Sequence, residues 1–551
     1  MWRSALGRNS VTTRTFGQIP KETEAPKIIR NIAAVFFGII LLVVLFFSGP
    51  VDYACKHSYT ADRQWLLFTV GIVGVAAVLL MAFLLRGKFA GARKLLAKKS
   101  TFVLLTSVCS IILLLAQCYI VRSTWFETGW DVGAMVRVDS PDAMTPYLSQ
   151  YPNQVFLYGL FRIVAYVGSL FGLQSGYLSL VLGGCLCVTL ALWFSSQAAR
   201  SIFGYAAGYA TLAVSFCFVG FSPWFLVPYS DSYGILCPSV VLFCYCCLDN
   251  RRVKWALIAF FSFVGYSIKP TAIFVLFALL FVELCLGIIR RDAERKRLSA
   301  NPAFATLLPF VLGLAIAFGA TAAVKNLGPE LDPERAYSMT HFLMMGANAQ
   351  TKGVYSEDDV VASRLCPDKA SRQAMNIQEW GSRIAEMGPL GLVELSLEKT
   401  LCNFADGTFA WGDEGHFWIA LHGDGGRIAS YYGVGSFSCV DDGTANAKVF
   451  QGMNQTMWLM VLCGMVLGFL RKKTEKGELT AYLALVALAI FLMIFECRAR
   501  YLFLYAPFFV MLGIAGWVGL YRRVEAVVCG GGRLHRRGSR LVAKHADKSE
   551  S

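Results

Sequence analysis

Long apolar runs separated by short, mostly basic segments set the pattern of this chain. Runs at 31–49, 65–85, 101–121, 174–196, 205–222, 233–249, 253–267, 270–289, 303–323, 454–471, 478–496 and 501–520 approach the ~20 apolar residues that cross ~30 Å of hydrocarbon. They predict an all-α polytopic membrane protein with about twelve transmembrane helices. Lys269-Pro270 divides the apolar stretch 253–289. A cation followed by a helix breaker in such a run marks a turn at the surface better than one kinked span. A further run, "QVFLYGLFRIVAYVGSL" at 154–170, carries Arg162 and reads as an amphipathic helix lying in the outer interface.

Composition agrees. The chain is 56% hydrophobic and 16% charged, where soluble domains run nearer half apolar and a quarter charged. A net charge of +15 invites a nucleic-acid reading, but the basic residues cluster between apolar runs, as the positive-inside rule requires. With the N-terminus in the cytoplasm, the inner loops hold Arg86 to Lys99, Arg251 to Lys254, "RRDAERKR" at 290–297, "RKKTEK" at 471–476 and the tail "RLHRRGSR" at 533–540. That arrangement puts both termini inside and holds only if 154–170 does not cross. The first apolar run has no signal-peptide order or cleavage site and reads as a retained anchor.

The same pattern divides the chain into domains. A cytoplasmic tail, 1–30, precedes an N-terminal transmembrane module, 31–323, with outer loops at 122–173 and 223–232. An outer loop domain at 324–453 is long enough to fold as a small unit. C-terminal transmembrane helices at 454–520 and a basic cytoplasmic tail at 521–551 complete it. Most of the 17 cysteines fall in or near spans, where Cys is a small apolar filler. Cys55, Cys366, Cys402 and Cys439 fall outside, leaving room for one disulfide.

Charged residues gather at the predicted outer ends of spans. Glu127 and Asp131 sit among Trp125, Phe126 and Trp130 in "TWFETGWDVGAMVRVDSPD", where lost hydration raises the cost of a charged carboxylate. Further along the chain come "YPNQ" (151–154), "VPYSDSYG" (227–234), "YSIKPT" (266–271) and "ECRARYLFLYAP" (496–507). Acids and bases on one face suit the handling of an anionic, lipid-borne molecule. Each has a plainer reading. Glu127 and Asp131 would share a helix face and pair with Arg122 or Arg137; Asp231 would cap a helix. Lys269, Arg498 and Arg500 would snorkel, or the arginines pair with Glu496. Asp413, Glu414 and His416 in "WGDEGHFW" lack a known ligand spacing, so a solvated loop is the better account and no metal site is assigned. No nucleotide-binding fingerprint is present, which points to energy carried by the substrate itself.

The order of these motifs resembles the GT-C superfamily of integral membrane glycosyltransferases, most closely bacterial members dependent on polyprenyl-phosphate sugars. The resemblance rests on Trp130-Asp131-Val132-Gly133, Tyr151-Pro152-Asn153, Asp231 in "PYSDSYG", Lys269-Pro270-Thr271, and Glu496, Arg498, Arg500, Tyr501 and Pro507. It spans residues 28 to 520 and departs at Gln154, where some relatives repeat the Asn.

The resemblance implies a GT-C-like bundle with interfacial helices in its first large outer loop. It implies a polyprenyl-phosphate sugar as donor and a glycan, lipid or protein as acceptor, among membrane lipids and with no nucleic-acid partner. Asp131 would be the catalytic base, Glu127 and Asp231 would orient the acceptor or tune Asp131, and Arg498, Arg500, Lys269 and Tyr501 would hold the donor phosphate. No cofactor is fixed by it; a divalent metal serves some members and not others. A ligase or polymerase using diphosphate-linked donors, and a transporter of lipid-linked glycans, are the competing classes.

Overall fold

The computed structural model describes residues 24–54, 56, 59–88, 90–293, 301–411, 418–423, 425–433 and 445–546. Each of the twelve apolar runs forms a helix. Nine helices among the described residues are long and apolar enough to cross a membrane: Ala25–Phe47, Ala61–Leu85, Lys99–Thr124, Gly176–Phe203, Ser230–Cys247, Thr306–Lys325, Ala445–Leu470, Lys476–Ile494 and Ala499–Val528. The other three runs form the shorter apolar helices Tyr205–Gly220 and Pro270–Leu286 and the helix Arg251–Ile268, which opens on Arg251, Arg252 and Lys254. The protein is a polytopic, helical membrane protein, with one two-stranded ribbon among the described residues. Lipid-facing positions carry what a bilayer requires: Val73, Leu84, Leu115 and Phe318 are exposed apolar side chains.

The bundle core centres on Trp458, which is fully buried and stacks with Phe218 and Phe404, with Phe509 edge-on at 5.1 Å. Beside it, the helices Ala445–Val466 and Ala506–Ala546 bring their backbones into contact. A Cβ built on Gly516 would lie 1.8 Å from the Gly464 carbonyl oxygen, so only glycine permits this crossing. The crossing anchors the helix that begins just after Arg500. Gly516→Ala is expected to force the helices apart at about 1–3 kcal/mol, read as a lower unfolding temperature in detergent. Gly319→Ala, where a Cβ would meet nothing within 4 Å, should melt as the unaltered protein does.

The helix Val155–Leu170 has 16 residues and is not among the nine. It buries Phe156, Leu157 and Phe161 and exposes Ile163, Tyr166, Val167 and Leu170, so its exposed side is largely apolar. The loop after Lys99–Thr124 also contributes a strand, Phe126–Thr128, paired antiparallel with Trp418–Leu421. Three residues are too few for any alternation to betray them in sequence.

The segment after residue 325 builds helices Met339–Gly346, Glu357–Leu365 and Lys369–Phe404, the last kinked where Gly388 has φ +57 before Pro389. Asp359 ties them, accepting from Arg383 at 2.7 Å and from Asn348 at 3.1 Å. Burial works against its charge, but these donors outweigh it and hold the carboxyl below its usual range. Burial pushes His341 down to about 4, so at neutral pH its imidazole is uncharged beside Ser363, 2.8 Å away. Buried Lys399 clasps this segment to the late motif through the carbonyls of Gly346 and Phe495, at 2.7 and 2.8 Å. Main-chain bonds from Glu496 to Phe342 and from Cys497 to Gly353 complete the seam.

Neither Cys366 nor Cys402 is in a disulfide; Cys55 and Cys439 lie outside the described residues, as do Asp413, Glu414 and His416.

Candidate active site

Five motifs from distant parts of the chain converge. Asp231 opens the short helix Ser230–Gly234 and is only 2% exposed. It does not act as the helix cap, since Ser232 takes the Tyr229 amide. Its Oδ1 instead accepts from Lys269 Nζ, and its Oδ2 lies 3.4 Å from Arg500 Nε. Lys269 ends the helix Arg251–Ile268 in extended backbone before Pro270 and is buried, so it does not snorkel. Arg500, also buried, follows the extended turn at Arg498. One carboxylate thus holds two cations in fixed places.

Aromatic rings wrap these cations. The Arg500 guanidinium sits 4.2 Å from the Trp130 ring centre and 5.3 Å from that of Tyr229. Lys269 Nζ lies 4.3 Å from the Tyr501 ring centre. Rings at these distances favour a cation whose hydration shell has been stripped. Trp130 reaches its place through a left-handed backbone, φ +46, which for a bulky residue costs roughly 1–3 kcal/mol and clusters at functional sites.

Asp131 is next in the chain. Its Oδ2 accepts from the Tyr229 hydroxyl at 3.0 Å, and that hydroxyl accepts from Gln154 Nε2 at 2.8 Å. Glu496, buried, accepts from Tyr501 at 3.3 Å and pairs with Arg498 Nε at 3.4 Å. Burial raises the Glu496 carboxyl, Arg498 and Arg500 pull it back, and Asp131 adds to the rise. Burial, and then Asp131, lifts the Tyr151 hydroxyl above its ordinary range. Asp131, Asp231 and Glu496 therefore face Lys269, Arg498 and Arg500 across one aromatic-walled cluster.

Glu127 is placed differently. It lies on the strand Phe126–Thr128, whereas Asp131 lies in the short helix Trp130–Met135, so the two share no helix face. Its Oε1 is 2.9 Å from Nε2 of His422, whose ring stacks on Trp125 at 4.4 Å. Glu127 thus ties the loop after Lys99–Thr124 to the segment around 418–423.

Tyr229, Gln154 and Trp130 are the members that sequence reasoning left without a role, whereas Glu496 pairs with Arg498 as one reading had it. A divalent cation does not fit at Asp231, where Lys269 and Arg500 already occupy the carboxylate and would repel it. Among the described residues no group of three or more His, Cys, Asp or Glu is disposed to hold a metal.

A family profile described as "conserved hypothetical integral membrane protein" matches residues 25–518, the whole span that carries this cluster. The chain belongs to that family. For this integral membrane protein no match is found among curated proteins. Two solved structures resemble it. ArnT from Cupriavidus metallidurans bound to undecaprenyl phosphate is 13% identical, over 77% of this chain and 78% of that one, with a TM-score of 0.30. The apo state of the same protein is 14% identical, over 76% and 78%, with a TM-score of 0.28. At that distance the likeness assigns no activity to this chain.

Proposed function

We propose that the protein is a glycosyltransferase of GT-C type that moves a sugar from a polyprenyl-phosphate donor to an acceptor at the outer face of the membrane. The observation that supports this most is the Asp231–Lys269–Arg500 unit beside Asp131. Two buried cations held in place by one carboxylate offer preorganised charge for a developing phosphate oxyanion. Arg presents that charge as a planar fork suited to two phosphate oxygens, Lys as a point charge.

In the proposed reaction Asp131 takes the proton of the acceptor hydroxyl as its oxygen attacks the anomeric carbon. The bond from that carbon to the phosphate oxygen breaks, and the lipid phosphate leaves with the electron pair, stabilised by Arg500, Lys269 and Arg498. Asp231 acts by fixing the cations, and Tyr501 by its place under Lys269. A single displacement of this kind inverts the anomeric centre. Glu127, held at the ribbon by His422, serves the outer loop rather than the reacting atoms.

The test is incubation of purified protein with labelled polyprenyl-phosphate sugars, with diphosphate-linked donors in parallel. Transfer with inversion from the monophosphate donor is expected. Preference for the diphosphate donor would make the protein a ligase or polymerase. Translocation of the intact lipid without bond cleavage would make it a transporter.

A further inference from the structure

We infer that Gln154 and Tyr229 are positioning residues that fix one oxygen of Asp131 through a hydrogen-bond relay of defined polarity. The inference rests on the reading of Asp131 as the base.

Proton counting sets the polarity. A tyrosine hydroxyl carries one proton, and an ionised carboxylate only accepts. The 3.0 Å contact to Asp131 therefore uses the Tyr229 proton. What remains on the phenol oxygen is a lone pair, which only a donor can approach. The side-chain NH2 of Gln154 is that donor, at 2.8 Å. The opposite amide orientation would set a carbonyl oxygen against the phenol and compete with Asp131 for its proton.

This orientation, which serves Tyr229, carries a cost. It leaves the Oε1 of Gln154 buried, with no hydrogen-bond partner among the described residues. A stranded buried acceptor costs about 1–3 kcal/mol. Tyr229 is suited to remain the donor, because burial, reinforced by Asp131, lifts its hydroxyl well above the ordinary tyrosine range. Its ring is fixed as well, edge-on to Trp130 at 5.3 Å. The second oxygen of Asp131 is then left to meet an acceptor hydroxyl in one orientation. Gln154 stands where some relatives in the resembling superfamily repeat the Asn, and the relay gives that departure a use.

The experiment compares kcat, KM and unfolding temperature for full-length Gln154→Glu, Gln154→Met, Tyr229→Phe, the double variant Gln154→Glu/Tyr229→Phe, and Asp131→Asn, with a polyprenyl-phosphate sugar as donor. Gln154→Glu replaces the donor by an acceptor that draws the Tyr229 proton away. Its kcat is expected to fall by up to ~10²-fold, the scale of a misplaced reacting group, with donor KM changed far less. Gln154→Met fills a similar volume without competing for the proton and should lose clearly less. Tyr229→Phe should lose about as much as Gln154→Glu, and the double variant no more than either, because both act through one contact. Losses that multiply in the double variant, equal losses in Glu and Met at 154, or an effect on KM alone would overturn the relay. If Tyr229→Phe does not fold, the Glu-against-Met comparison decides alone. If Asp131→Asn is inactive while Gln154→Glu keeps the unaltered kcat, the relay falls and the base reading stands. If Asp131→Asn transfers at the unaltered rate, both fall.

Discussion

Asp231→Ala is expected to destabilise the folded protein by about 3–5 kcal/mol, the cost of removing one partner of a buried ion pair. Asp231, Lys269 and Arg500 are all buried, and both oxygens of the carboxylate are engaged. Its loss leaves two cations facing each other in a medium that solvates neither. The effect is read as earlier loss of the monodisperse species on heating in detergent. Asp231→Asn/Lys269→Met should recover part of that loss, since one stranded charge goes with the carboxylate. Unaltered melting of Asp231→Ala would mean that water or lipid reaches these cations and that the unit holds nothing in place.

Asp131→Asn carries the largest expected effect on rate. It keeps the shape of the side chain, and the Tyr229 hydroxyl can still donate to the amide oxygen. It removes the proton acceptor. Turnover should fall by ~10²–10⁴, the contribution of a general base, while donor binding and unfolding temperature stay near those of the unaltered protein. The two variants thus separate two duties of similar-looking acids. On the proposed mechanism Asp231 supports the site, and its loss should show first in stability; Asp131 acts on the substrate, and its loss should show in kcat. Turnover at the unaltered rate in Asp131→Asn would remove the base from the proposed mechanism.

The helical runs were legible because hydrocarbon permits few solutions. A run of about 20 apolar residues has little choice but helix, and all twelve runs became helices, nine of them among the described residues long and apolar enough to cross a membrane. The structure places Lys269, Arg500 and Tyr501 around Asp231 because span ends gather charged residues at one level, a regularity visible in sequence. Tyr229 and Gln154 were not legible in that way. A hydrogen bond between residues 75 or 98 positions apart leaves no periodicity, and a tyrosine beside a span reads as an interfacial anchor. Glu127 misled for the opposite reason. Its four-residue spacing from Asp131 has the look of a helix face, but the strand at Phe126–Thr128 exists only through its partner at Trp418–Leu421. Long-range pairing overrode local pattern.

The dispersal of the cluster along the chain bears on its biosynthesis. Asp131 emerges from the ribosome early, Asp231 and Lys269 at mid-length, and Arg500 only with the final long helix described, Ala499–Val528. A nascent chain that has inserted Lys476–Ile494 but no more already carries Asp231 and Lys269, yet lacks the guanidinium that Trp130 and Tyr229 surround. Glu496, whose main chain is hydrogen-bonded to Phe342, likewise waits for the end of synthesis. A prematurely terminated product would therefore insert into the bilayer as an inert bundle. Under the proposed function, a chain stopped before Ala499–Val528 would lack Arg500 and would not draw on lipid-linked donor.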